Sequence, residues 1–157
     1  MIELKAEFMF EAIKQAKIAK EKGDYAIGAV IVRSGEIYSR GANMTKTSQD
    51  PTCHAEIIAI REATHLLGHR HLEGCVLYST NEPCAMCSSA SVWAKLDGIV
   101  YGSRWEDMRD YSIDNANGDY LWRTIGISCN EVIGKSNEGI EVIGDFMREE
   151  CLKLFHC

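Results

Sequence analysis

Residues 75–102 read CVLYSTNEPCAMCSSASVWAKLDGIVYG. The stretch opens on a buried-looking strand, Cys75-Val76-Leu77-Tyr78, inside a strand region that runs from Leu72 to Thr80. Pro83 then stands where a helix begins, a place that suits its fixed φ and missing N–H. The helix is expected to run to about Lys95, and Ile99-Val100-Tyr101-Gly102 returns to strand. Strand, helix and strand in succession make a βαβ unit, which requires parallel pairing and places the chain in the α/β class.

Upstream, Leu4, Phe8, Ala12, Ile13, Ala16 and Ala19 recur at helical spacing over residues 3–22, with Gly23-Asp24 as a stop. Ile27–Val32 and Glu36–Ala42, joined through Ser34-Gly35, read as an antiparallel hairpin. After a polar segment ending in Asp50-Pro51-Thr52, residues 53–67 are helical up to Gly68, with Thr52 or Asp50 as cap. Downstream, 104–123 is polar, aromatic and acidic, and reads as a short helix and loop covering a site. Ile140–Ile143 alternates like a last strand, and 145–155 like a short amphipathic helix.

A chain of 157 residues is the size of one domain, here residues 1–157, and can bury a real core. No apolar run approaches a bilayer span and the N-terminus lacks a signal-peptide core, so a soluble, cytoplasmic protein is expected. The formal charge of −6 and the absence of a basic run argue against a phosphate-backbone partner. Seven cysteines, at 53, 75, 84, 87, 129, 151 and 157, are an odd number at irregular spacing and make a poor disulfide framework.

Two of those cysteines carry chemistry. Cys84 and Cys87 are three apart and share a helix face, and His54 lies at another helix start. Two thiolates and one imidazole suit tetrahedral zinc, and three protein ligands leave one position for water. Zn²⁺ with that donor set sums to zero charge, while two helix N-termini add partial positive charge that helps ionise a bound water. Glu56, two residues from His54, then stands beside the water as a general acid and base. A four-ligand structural knuckle fits less well, because Cys53-His54 is too tight for a second pair. A redox Cys-x-x-Cys leaves His54 and Glu56 unexplained.

His54-Ala55-Glu56 with Pro83-Cys84-Ala85-Met86-Cys87 resembles the H-x-E…P-C-x-x-C signature of the cytidine-deaminase superfamily. The resemblance covers Ala26 to Tyr101 and, more weakly, the N-terminal helix. It implies a three-layer α/β/α sandwich around a mixed five-stranded sheet, and a homodimer, with an exchanged C-terminal segment as one option. It makes His54, Cys84 and Cys87 the Zn²⁺ ligands and Glu56 the proton shuttle. Asn43 and the backbone N–H of Ala55 would hydrogen-bond substrate. Ile27 would wall the base and Trp93 would line the pocket, with ordinary core packing as the competing reading for both.

Within the superfamily, Ala59-Ile60-Arg61, Leu67-Gly68 and Glu82-Pro83-Cys84 are most similar to guanine deaminases. Those enzymes resemble one another in a late acidic pair, for which Asp114 is the nearest equivalent here, with Asn115 replacing one acid and Asp110 or Asp119 as substitutes. The expected reaction is hydrolytic deamination of an aminated ring. A small guanine-type base or nucleoside comes first, then a cytosine or cytidine type, then adenosine in tRNA. Phe155 or His156 is a further candidate for closing over a small ligand.

Overall fold

The computed structural model describes residues 1–156, the side chain of His156 excepted. Its centre is strand β3 (Cys75–Asn81), in a sheet ordered β2-β1-β3-β4-β5. Strand β1 (Gly28–Arg33) runs antiparallel to both β2 (Glu36–Ala42) and β3. Strands β4 (Gly98–Ser103) and β5 (Glu141–Ile143) run parallel to β3, so Ile31, Leu77, Ile99 and Val142 lie in one row across the sheet. The sheet is mixed and five-stranded, as expected.

Period-two alternation sends neighbouring side chains to opposite faces. Ala29, Ile31, Leu77 and Ile99 pack against helices α2 (Ala55–Leu67), α3 (Ala85–Trp93) and α5 (Cys129–Gly134). Val30, Val32, Tyr78 and Val100 pack against α1 (Ala6–Glu21) and α6 (Arg148–Leu152). Two apolar layers, each capped by helices, make the three-layer sandwich. Two glycines set the spacing of the layers. A Cβ on Gly28 would overlap the Ala12 carbonyl of α1, and one on Gly41 the Ala55 carbonyl of α2.

The chain departs from expectation at several helix ends. Asp50 Oδ1 accepts from the backbone N and the hydroxyl of Thr52 (2.8 and 2.7 Å), so this acid closes a turn and caps nothing. His54, at φ −67° and ψ 152°, is itself the residue before α2. Pro83 likewise precedes the N-cap residue, Cys84, and α3 begins at Ala85. The expected 145–155 helix is shortened to α6 and a 3₁₀ turn over Lys153–His156, because Asp145 and Met147 sit at φ +62° and +54°. Residues 104–123 hold a full helix, α4 (Trp105–Asn115).

The C-terminal segment packs on its own chain. Strand β5 pairs with β4 of the same chain, and Cys151 of α6 occupies the space left by Gly102. Arg148 grips Asp107 of α4 through two hydrogen bonds of 2.9 and 2.6 Å. Phe155 is buried, stacked on Tyr111 at 5.5 Å and edge-on to Trp122 at 5.2 Å, so it packs the fold and is not held ready to cover a ligand. The part suggested for the His156 side chain lies outside the described residues.

Candidate active site and metal centre

The C-terminal ends of β3 and β4 and the start of β1 meet at one edge of the sheet, and the chemistry collects there. His54 precedes α2 and Cys84 precedes α3, so both helices direct their unpaired N–H groups at the same point. Cys87 follows in the first turn of α3. The ligand atoms of His54, Cys84 and Cys87 lie within 4.8 Å of one another. His54 Nδ1 is 3.6 Å from Cys84 Sγ and 3.5 Å from Cys87 Sγ.

That spacing tests the zinc reading. Tetrahedral geometry with Zn–S of about 2.3 Å and Zn–N of about 2.0 Å separates sulfur from nitrogen by about 3.5 Å. The donors are therefore already at bonding separation for one zinc ion. Three of them, with no fourth His, Cys, Asp or Glu in the cluster among the described residues, match the open arrangement.

Protonation in the metal-free cluster follows from the contacts. The Cys84 thiol is brought down to about 4, first by its hydrogen bond with Cys87 and then, against burial, by His54. His54 is raised, chiefly by its bond to Cys84. Cys87 is raised by the same Cys84 contact and by burial. These contacts favour negative charge on Cys84 and positive charge on His54.

Glu56 is buried in the first turn of α2, and burial raises its pKa. The Ser79 hydroxyl of β3 donates to Oε1 at 3.0 Å, while Oε2 lies 3.5 Å from Cys87 Sγ. One oxygen is thus anchored to the sheet and the other faces the metal cluster. Ala55 opens α2, so its N–H has no intrahelical acceptor.

Asn43 is buried at the end of β2, where its backbone N–H donates to the Ile27 carbonyl at 3.1 Å. Its Oδ1 accepts from Thr45 N and Thr45 Oγ1 (3.1 and 3.0 Å), and its Nδ2 keeps its donors for something else. The carbonyl oxygen of the Asn43 amide thus closes the turn to Thr45. Ile27 is half-buried against the α2-side core. Trp93 is 80 % exposed and forms neither a pocket wall nor core within this chain. Asp114 is exposed near the end of α4, with no hydrogen bond to the cluster; Asp110 pairs with Arg109, and Asp119 is exposed on the following segment.

Two residues were given no part at this site by the sequence reading. Glu82, buried just before Pro83, accepts the Trp105 N–H at 3.0 Å and the Cys129 N–H at 2.8 Å, tying the starts of α4 and α5 to the end of β3. Asp24, fully buried, accepts from Lys46 N and from both the N–H and hydroxyl of Thr47 (3.1, 2.9 and 2.8 Å), which fixes the loop after Asn43. The helix α5 itself was also unforeseen, although Ser128 and Glu131 form a capping box that marks its start.

Residues 2–103 match the family model described as the cytidine and deoxycytidylate deaminase zinc-binding region. The chain belongs to that family. Its cofactor is zinc, on the family's description and on this donor set. Among curated relatives, it is 48 % identical over 96 residues to a tRNA-specific adenosine deaminase of Bacillus subtilis, covering 61 % of this chain and 60 % of that protein. It is 43 % identical over 89 residues to a guanine deaminase of the same organism, covering 57 % of each. These matches thus span well under two thirds of the relatives' own lengths. A tRNA-specific adenosine deaminase of Agrobacterium fabrum is 33 % identical over 149 residues, covering 94 % of this chain and 97 % of the relative. A structure solved in work on A-to-I editing of transfer RNA at the wobble position superposes with a TM-score of 0.77 at 28 % identity, covering 96 % of this chain and 99 % of that one. The resemblance is therefore to the superfamily as a whole, and a particular likeness to guanine deaminases is not favoured.

Proposed function

We propose that this protein is a hydrolytic deaminase that replaces the exocyclic amine of an adenosine in tRNA by oxygen and releases ammonia. The observation that carries the reading is the Agrobacterium relative, which aligns through the divergent segment after residue 103 as well as through the catalytic core. The guanine deaminase match covers 89 residues, fewer than the span of the zinc-binding region at residues 2–103.

His54, Cys84 and Cys87 would hold zinc, which when bound supplies a polarised water as nucleophile near neutral pH. The residues do the remainder. Glu56 Oε1 is pinned by Ser79, which leaves Oε2 to take a proton from the attacking water and pass it to the ring nitrogen. A C–O bond forms at the carbon bearing the amine. Glu56 then takes the proton of the new hydroxyl and gives it to the amine; the C–N bond breaks, the C–O bond becomes a carbonyl, and ammonia departs. Asn43 Nδ2 and the Ala55 N–H serve as donors to the substrate, and Ile27 supplies an apolar wall.

A second reading, a free guanine-type base, is favoured by the charge. The whole chain carries −6, and Asp110, Asp114 and Asp119 are exposed on α4 and the segment after it. Ammonia release over guanine, guanosine, cytosine, cytidine, adenosine and a tRNA anticodon stem-loop separates the two. Activity confined to the stem-loop, weakening steeply with salt, is expected. Activity on guanine alone, indifferent to salt, overturns the first reading in favour of the second.

A further inference from the structure

Residues 117–122 cross from the end of α4 toward the loop that follows Asn43, without regular secondary structure. They are moored there at several separate points. Lys46 Nζ donates to the Asp119 carbonyl at 2.7 Å and sits 4.1 Å from the centre of the Tyr120 ring. The Tyr25 hydroxyl accepts the Leu121 N–H at 2.9 Å, and the Tyr25 ring meets Tyr120 and Trp122 edge-on at 5.2 and 5.0 Å. Trp122 is buried although its backbone is left-handed at φ +50°. For a residue of that bulk, such a conformation persists only where the surroundings impose it.

The moorings flank the substrate side of the site. Tyr25 is two residues from Ile27, whose carbonyl takes the Asn43 N–H, and Lys46 is three residues beyond Asn43. The buried Asp24 holds the Lys46 backbone, so the lysine reaches the strap from a fixed base. The strap is therefore tied to Tyr25, just before Ile27, and to Lys46, just after Asn43, on either side of the backbone hydrogen bond that joins Ile27 and Asn43.

We propose that Lys46 and Tyr25 are specificity-determining positioning residues: by mooring the 117–122 strap beside Asn43 and Ile27, they set which substrates the site admits. The proposal rests on the deaminase reading, which makes Asn43 and Ile27 substrate contacts and supplies the catalytic readout. Neither residue touches the metal cluster, so their influence falls on binding and selection, not on the bond-breaking step.

Lys46→Met keeps the aliphatic stem and removes the donor and the charge, while Tyr25→Phe keeps the ring and removes the acceptor. Each is compared with the zinc-loaded parent protein by amide exchange, by equilibrium dialysis of adenosine and of guanine, and by kcat and KM on whichever substrate releases ammonia. The expected result is exchange about tenfold faster at 120–122, with α2 and α3 amides unchanged. The two dissociation constants should draw closer together by about fivefold, and KM should rise about tenfold with kcat within about twofold. Faster strap exchange with unchanged affinities and unchanged KM overturns the proposal, as does a fall in kcat at constant KM. A parent protein that releases no ammonia from any substrate removes the proposed function instead, and the dialysis and exchange results then decide the strap's role alone.

Discussion

The Ala55 carbonyl rests directly on the backbone of Gly41, with no room for a methyl group between them. This contact between β2 and α2 fixes the height of the turn from which Glu56 and, two residues earlier, His54 reach the metal cluster. Gly41→Ala should therefore displace that turn, at about 1–3 kcal/mol of stability for the overpacking. Thermal denaturation and zinc content read the two consequences together. A variant that melts like the parent and holds one zinc per chain would show that the close approach is not required.

Glu56 tests the division of labour between holding the metal and moving protons. Glu56→Gln should keep zinc and lose turnover by about 10²- to 10⁴-fold, because the lost group is the proton carrier. Cys87→Ala should lose both, since it deletes a donor atom. Zinc stoichiometry and ammonia release on the same preparations distinguish these outcomes, and surviving turnover in Glu56→Gln would remove Glu56 from its role.

Glu82 predicts a structural defect with a distinctive location. In Glu82→Gln one carboxylate oxygen becomes an NH₂ that faces either the Trp105 or the Cys129 N–H. Leaving a buried donor unpaired costs about 1–3 kcal/mol. Amide exchange should rise first at the starts of α4 and α5. Uniform exchange across the chain would mean that the two helices are held by something else.

Asp107 gives a pH dependence whose sign follows from its partners. Burial alone would raise its carboxyl, but the Arg148 guanidinium and the Arg104 backbone N–H outweigh it and hold the group below its ordinary 3.8. A depressed folded value stabilises the protein above the unfolded value. That contribution is lost as pH falls from the ordinary value through the lower, folded one. Acid melts of the parent protein and of Asp107→Asn should therefore converge below pH ~3.8 and diverge above it. Parallel curves throughout would show that the Arg148 clasp adds nothing.

The region from β3 to β4 was legible because a strand buried on both faces leaves a nearly continuous apolar run, and a proline punctuates the start of the helix between. The metal donors were legible from their chemical types alone. Helix α5 was missed because six residues are too few to show a helical period, even though its Ser128–Glu131 box was in view. Glu82 gave no signal, since a carboxylate before a proline reads as loop and its two partners lie 23 and 47 residues away. Trp93, assigned to the pocket by resemblance alone, stands exposed on α3, because resemblance does not say which side of a helix meets a neighbour. The leaning toward guanine drew on residues around the catalytic signature, yet the chain is also 48 % identical over 96 residues to the tRNA-specific adenosine deaminase of Bacillus subtilis.

All of the donor atoms, and the carboxylate beside them, come from the chain before residue 88, whereas α4, the strap and α6 all follow Ser103. The molecule is thus written with its reagents upstream of the Ser103–Arg104 crossing and, downstream, a strap that returns to clasp Tyr25 and Lys46 of the upstream part. On the proposed role of that strap, a relative's downstream half grafted here would retune what the protein accepts only if Tyr25 and Lys46 were exchanged with it.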